Sequence, residues 1–303
     1  MASSQTSTLR PSTSTSTTKM STTSPSSQDH QLPEPSKSPS LTAAAWADTP
    51  YALIPTPLPS QSAYTSPTIP AASLIAHEMS HLHCMLLRGL NSLYQQAPHV
   101  QTESSIASFL QYGNHWCTTL NHHHATEETF LFPRIDALAG EALMTPNLAQ
   151  HLTFEAGIEA LDHYCLTTDP SAYSSQDFRG IIESFGSTLR AHLNDEIGTL
   201  VALDGKVDGD KLKALWRASS LHARSKTDKN IGLPMIIGTY DVTYQGGALS
   251  EFNLPIVLLW ANEWVYSRKW ADCWRFLPCD TRGRPRALVG AEEGTGMKER
   301  WKM

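Results

Sequence analysis

The stretch Asn121-His122-His123-His124-Ala125-Thr126-Glu127-Glu128-Thr129-Phe130-Leu131-Phe132-Pro133 sets three consecutive imidazoles one helical turn before two carboxylates. Residues four apart on a helix share a face, roughly 6 Å apart along the axis, so His123 and Glu127 can address one point. A leaner copy, His192-x-x-x-Glu196, follows 69 residues after His123. Read outward from these two stretches, the chain is what holds a cluster of metal-ligating side chains in place.

Apolar spacing places both stretches within four long helical segments. The first runs from about Ala71 to Tyr94, with Met79, Leu82, Leu86, Leu90 and Leu93 in a stripe that includes His83. His81 points to the opposite side, and His77 lies part of a turn away. The second runs from about Glu103 to Ala137, with Ile106, Phe109, Gly113, Trp116 and Leu120. Its stripe passes between His123 and His124 and close to Glu127, and Pro133 is expected to bend or shorten its last turns. The third opens at Pro146-Asn147 and carries Leu148, His151, Leu152, Glu155, Ile158 and Leu161 on one face. Ser174 or Ser175 caps the fourth, where Phe178, Ile182, Phe185, Leu189, His192, Glu196 and Leu203 recur at helical steps. Connections of roughly 6 to 10 residues predict an all-α, up-down-up-down four-helix bundle over residues 71–204.

Within that bundle the inward histidines and carboxylates form two matching halves. His83 precedes His123-x-x-x-Glu127 by 40 residues, and His151 precedes His192-x-x-x-Glu196 by 41. A single histidine on an apolar stripe is more often a hydrogen-bonded core residue, and an isolated His–Glu pair is commonly a surface pair. Six such residues in register, in two repeats and all inward, point instead to a metal site. His124 is a fifth imidazole, and helix phase alone does not decide between it and His123 as the principal ligand. Nitrogen donors with carboxylates able to bridge suit two iron ions better than one structural zinc, which takes four ligands, often thiolates. Manganese or a mixed pair fits the same donors. Glu128 and Glu155 are each read as supporting a ligand or lying at the surface, and His122 as facing solvent. His163 and His222 have no repeat partner, and His77-x-x-x-His81 is a weak second candidate turned away from the His83 stripe.

The chain's ends read differently. Residues 1–45, rich in Ser, Thr and Pro, cannot bury enough apolar surface to order, and they contain no hydrophobic segment of a secretory signal. Their apolar residues are also too few for an amphipathic mitochondrial presequence. Prolines interleaved with Tyr51, Leu53, Ile54, Leu58, Tyr64 and Ile69 predict an extended strap over 46–70. Residues 205–303 hold six of the eight tryptophans and are expected to pack on the bundle. There, Asp210–Lys226 reads as a helix, 234–247 as mixed, and Glu251–Trp274 as a helix with an aromatic face of Trp260, Trp264, Trp270 and Trp274. The net charge of −6 without a basic block gives no electrostatic support for nucleic-acid or anionic-membrane partners. The longest apolar run, Leu254 to Ala261, is interrupted by Pro255 and too short to span a bilayer. Five cysteines without a C-x-x-C pair fit a reducing, cytoplasmic setting.

These residues resemble the hemerythrin-like cation-binding (HHE) domain proteins, in particular a group found in filamentous fungi. The resemblance lies in Trp46–Pro57, His83–His99 (HCMLLRGLNSLYQQAPH), His123–Pro133, His192–Leu203 and Ala271–Leu288 (ADCWRFLPCDTRGRPRAL). It implies a four-helix bundle with a non-haem di-iron centre. The ligands it implies are His83, His123, Glu127, His151, His192 and Glu196, with His124 joining in some relatives. Family members commonly carry another histidine one turn before the third-helix ligand, where this chain has Asn147 and Leu148. A missing ligand weakens the case for reversible oxygen carriage and leaves the open coordination position that catalysis needs.

The expected function is therefore a di-iron protein that activates dioxygen to oxidise a small organic molecule, in secondary metabolism, with a separate electron donor. The aromatic extension would form the organic pocket. The alternative is a sensor of dioxygen, nitric oxide or iron, or an iron store. A deep pocket reaching the metals distinguishes the enzyme from a sealed sensor.

Overall fold

The computed structural model describes residues 46–58, 69–246 and 254–290. The tail over 1–45 and the middle of the strap with Tyr64 lie outside them, as do 247–253 and 291–303 of the extension. Among the described residues the regular structure is helical, and no helix is long and apolar enough to cross a membrane.

Helices α1 (Ala71–Gln96), α2 (Glu103–Thr126), α5 (Glu155–Thr167) and α6 (Ser175–Val201) pack in a closed ring, each against the next and α6 back on α1. Side-chain caps set their starts. The Thr102 hydroxyl accepts from the Ser105 amide to open α2, and Ser174 accepts from the Asp177 amide to open α6. The α6 stripe from Phe178 through His192 and Glu196 to Leu203 is buried throughout, as its spacing requires.

The second predicted helix is not shortened at Pro133. It widens into a π-turn over Glu127–Leu131, where the Phe132 amide bonds the Glu127 carbonyl, and continues as α3 (Phe132–Ala139). Pro133 has no amide to return to Thr129 and its ring would crowd that carbonyl, so a wider turn just upstream relieves both problems. The third predicted helix is two pieces, α4 (Thr145–His151) and α5, separated by a turn. Leu148, Leu152 and Glu155, expected on the buried face, are exposed, while Phe154 turns inward and is buried.

The extension supplies α7 (Gly209–Lys226) and α8 (Lys229–Thr239), which pack on α1 and α2. Asp208 and Asp228 cap them. The helix α8 replaces much of the segment expected to be mixed, with Pro234 accommodated inside it. The single aromatic helix expected over Glu251–Trp274 is only α9 (Ile256–Trp264), whose Trp260 and Trp264 are exposed. Instead, Trp270 and Trp274 pack around His115, with ring centroids 5.1 and 5.3 Å away.

Burial on nearly every side distinguishes α1. Its inner face joins the ring, and its back face presents Arg88, Asn91, Ser92 and Gln96, all buried. These polar groups hold the chain's ends. Asn91 accepts from the Tyr51 amide (2.9 Å) and donates to the carbonyls of Ala47 (2.7 Å) and Tyr51 (2.9 Å). Gln96 donates to the Phe276 carbonyl (2.8 Å) and accepts from the Val289 amide (2.9 Å). Arg88 bridges Asp48 of the strap (2.9 Å) and Asp241 of the extension (3.6 Å). The strap's first part is therefore a turn pinned to α1 before it extends. Gly186 of α6 leaves room for it, since a Cβ there would lie 2.3 Å from the Tyr51 ring.

Asn91→Ala removes three hydrogen bonds and strands buried backbone groups, so it should cost roughly 1–3 kcal/mol. Thermal unfolding with limited proteolysis checks this. An unchanged midpoint and an uncut strap would mean that these bonds do not hold it.

Candidate metal centre

His83 sits in the middle of α1, fully buried, with Nδ1 2.7 Å from the Leu193 carbonyl of α6. That contact fixes the proton on Nδ1 and turns Nε2 toward Glu196 Oε2, 3.5 Å away. At the end of α2, His123 Nε2 lies 3.1 Å from Glu127 Oε1. His151, at the last position of α4, has Nδ1 2.6 Å from Glu128 Oε1, while its Nε2 lies 3.1 Å from His192 Nε2 and 3.7 Å from Glu127 Oε2. His192 Nδ1 in turn meets the Gln150 side-chain oxygen at 3.0 Å. The outer nitrogens of His83, His151 and His192 are thus tethered and the inner ones converge.

The converging atoms fall into two groups, each within a 4.8 Å span. His83, His123, Glu127 and Glu196 form one, and His124, Glu127, His151 and His192 form the other. Each could hold a metal ion, and Glu127 belongs to both. Every residue expected at the site is present, and the choice between His123 and His124 dissolves: the stripe of α2 runs between them, so each serves a different group.

A cavity of about 250 Å³ reaches this cluster from the seam between α1–α2 and α7–α8. Met79, Leu82, Leu86, Trp216, Ile231 and Ile236 line its body, with His123 and Glu127 in its wall. His122, expected in solvent, also lines it, with Nε2 3.0 Å from both the Ala223 carbonyl and the Thr227 hydroxyl of the α7 end. His77 and His81 are buried beside each other (ring centroids 4.7 Å apart), and His81 packs against Tyr240 and Tyr244. Neither joins a metal-binding group. His222 stacks on Phe130 and His163 is exposed.

Residues 74–203 match the family model described as Hemerythrin HHE cation binding domain. The dimeric xanthone biosynthesis cluster protein R11 of Cryptosporiopsis sp. (strain 8999) is 36% identical over 216 residues, which cover 71% of this chain and 82% of that protein. The chain belongs to the hemerythrin-like HHE family. No solved structure matches it. Binding of metal cations, typically iron, is what an HHE domain implies.

Whether this chain's residues fit a cation can be tested on their unsatisfied atoms. The Nε2 atoms of His83, His123 and His124 and all four oxygens of Glu127 and Glu196 are buried without a hydrogen-bond partner. Native interiors rarely tolerate such groups. Burial holds His83 near 3 and pushes His123 and His124 well below the ordinary histidine range, so these imidazoles stay neutral with lone pairs available. Burial drives Glu127 well above the carboxylate range, aided by the facing Glu196, which burial raises to about 8. Two carboxylates among neutral imidazoles hold protons unless a cation takes their place. The Nε2 atoms of His151 and His192 meet at 3.1 Å, where a cation could stand in place of a shared proton. The donor set fits.

One feature of the HHE centre was not legible in the sequence. Phe154 forms a floor, its ring centroid 5.4, 5.9 and 5.2 Å from those of His124, His151 and His192. It broke the expected helical stripe, so periodicity could not flag it. Asn147, the residue that the sequence places one turn before His151 where relatives commonly carry a histidine, is buried with Oδ1 unpartnered, whereas its neighbour Leu148 is exposed.

The pH dependence of the metal-free protein follows from these shifts. Glu196 near 8, against an ordinary 4.5, contributes stability below pH 4.5 that is lost as pH rises through 8. His83 near 3, against 6.5, contributes stability above pH 6.5 that is lost as pH falls toward 3. Glu196→Gln should therefore raise the melting temperature of the metal-free protein at pH 8 while weakening cation binding. A metal-free variant less stable than wild type at that pH would contradict the charge balance drawn here.

Proposed function

We propose that this HHE protein is a non-haem di-iron oxidoreductase that uses dioxygen to oxidise a small, largely apolar organic metabolite. The observation that carries the reading is the cavity that runs from the α7–α8 seam to His123 and Glu127. A sealed centre would favour a sensor and an iron store needs no organic pocket, whereas a substrate needs this kind of approach.

In this reading α1, α2, α4–α5 and α6 are the four legs of an up-down-up-down bundle. His83, His123, Glu127 and Glu196 would hold one iron, and His124, His151, His192 and Glu127 the other, with Glu127 bridging. Manganese or a mixed pair would use the same donors. When bound, the irons would supply the electrons and open coordination that dioxygen reduction requires. The protein's own part is positioning. The Leu193 carbonyl, Glu128 and Gln150 keep three imidazoles oriented from outside, a supporting arrangement typical of metal-ligating histidines.

The apolar wall of Met79, Leu82, Leu86 and Ile231 would exclude water and press the substrate toward the Glu127 side. His122, tied to the end of α7, would keep the extension closed over that wall. An asparagine in place of a further histidine at 147 would leave one iron with a weaker donor and favour catalysis over carriage. Resetting the irons would need an electron-donor partner. The relative's name places that protein in a cluster for dimeric xanthone biosynthesis, which supports secondary metabolism as the setting for this chain too.

Anaerobic reconstitution with ferrous iron should give two irons per chain and a visible spectrum that changes on exposure to oxygen. Oxygen uptake should rise with the aromatic metabolite accepted. Ile231→Trp, which fills the cavity, should retain the iron and lose the metabolite-dependent uptake by about tenfold or more. Fewer than two irons in the wild type, or full uptake by the filled variant, would sink the reading.

A further inference from the structure

We infer that divalent cations reach the centre through a second opening on its other side, separate from the organic cavity. The inference rests on the metal reading above. A groove of about 640 Å³ is lined by Asn121, Glu128, His151, Phe154, Glu155 and Glu159, together with His124. Glu155 and Glu159 stand one turn apart on α5, both exposed, and no lysine or arginine lines the groove. Glu128 lies further in, its side chain 39% exposed and its Oε1 2.6 Å from His151 Nδ1. Beyond it, His124 is only 7% exposed, and its Nε2 has no hydrogen-bond partner. Carboxylates therefore lead stepwise from solvent to a buried, unpartnered nitrogen donor.

The two openings differ in charge. Arg224, Lys226 and Asp228 line the organic cavity, whose body is apolar, so its opening carries no net acidic charge. A hydrated dication meets no net attraction at such an opening, where the donors ahead of His123 and Glu127 are hydroxyls, His122 and the single carboxylate Asp228 beside two cations. The acidic groove attracts it, because charge of one sign in a cleft with low-dielectric walls raises the local counter-ion concentration and the rate of encounter. The helix break after His151 makes this possible. It starts α5 at Glu155, turning that residue and Glu159 to the groove instead of the ring interior.

The test follows uptake of Mn²⁺ by the metal-free full-length protein, read as loss of the free-ion electron paramagnetic resonance signal after rapid mixing. At low ionic strength the Glu155→Gln/Glu159→Gln double variant should load about 3- to 10-fold more slowly than wild type. It should reach the same final occupancy and lose most of the salt dependence of the rate. Glu159→Lys should be slower still, and Arg224→Gln/Lys226→Gln should load at the wild-type rate. Wild-type loading rates in both acidic-groove variants, or faster loading only when the cations of the other opening are removed, would overturn the route and leave the centre standing. Lower final occupancy would make the two glutamates ligands, which also overturns it. A wild-type protein that takes up no Mn²⁺ would overturn the metal reading itself.

Discussion

A knot of buried, unsatisfied polar groups in the middle of the helix ring is the constraint on which the remaining structure depends. Glu127 and Glu196 are buried with all four oxygens unpartnered, facing imidazoles that burial keeps neutral. Isolated charges in a protein interior are expensive, and half-satisfied polar clusters more so than apolar packing. Such a cluster persists only if its surroundings prevent collapse, and its donors are of the kind that a cation would satisfy. The surroundings resist collapse: the outer nitrogens are bonded to Leu193, Glu128 and Gln150, and Phe154 closes the floor. Each tether comes from an element other than the one carrying the tethered histidine, or from beyond a helix break. The geometry is therefore a property of the assembled ring.

The helix α1 extends that constraint outward. One face brings His83 to the centre; the opposite face carries buried Arg88, Asn91 and Gln96, which bind the strap and the extension. Packing α7 and α8 on α1 and α2 then creates the cavity beside His123 and Glu127. The extension is thus part of the approach to the centre rather than an appendage, and the strap braces the same helix from α6. A loss on the back of α1 would reach the site through the position of the helix itself, without any ligand being touched.

Much of this was written in periodicity. His83, His151 and the two His–Glu pairs stand on apolar stripes in two repeats, and burial of a stripe follows from its spacing. What could not be read was any feature in which a local break is compensated by tertiary contact. The π-turn at Glu127–Leu131 leaves no signature beyond Pro133, and the turn after His151 exchanges the expected Leu148 and Leu152 for Phe154. His122 looked solvent-facing because its partners, Ala223 and Thr227, lie a hundred residues away in sequence. The tryptophans misled for a related reason. Composition marks an aromatic load but does not say which rings are buried, and here Trp274 packs while Trp260 and Trp264 do not.

The two donor groups are unequal, and the inequality has a direction. One offers two imidazoles and two carboxylates and borders the apolar cavity; the other offers three imidazoles and one carboxylate and borders the acidic groove. Carboxylates favour higher-charged, harder cations and imidazoles borderline ones, so two identical ions would experience different fields. The more carboxylate-rich position lies where an organic molecule would approach, and the more nitrogen-rich position lies where cations would arrive. Glu127 ties them together, and it stands at the first residue of the π-turn, where the helix's own hydrogen-bond register is loosest. A bridging group has to change its mode of contact as the charges beside it change. If Glu127 bridges two ions as proposed, its place on the widened turn would let such an adjustment be taken up C-terminal to His123 and His124.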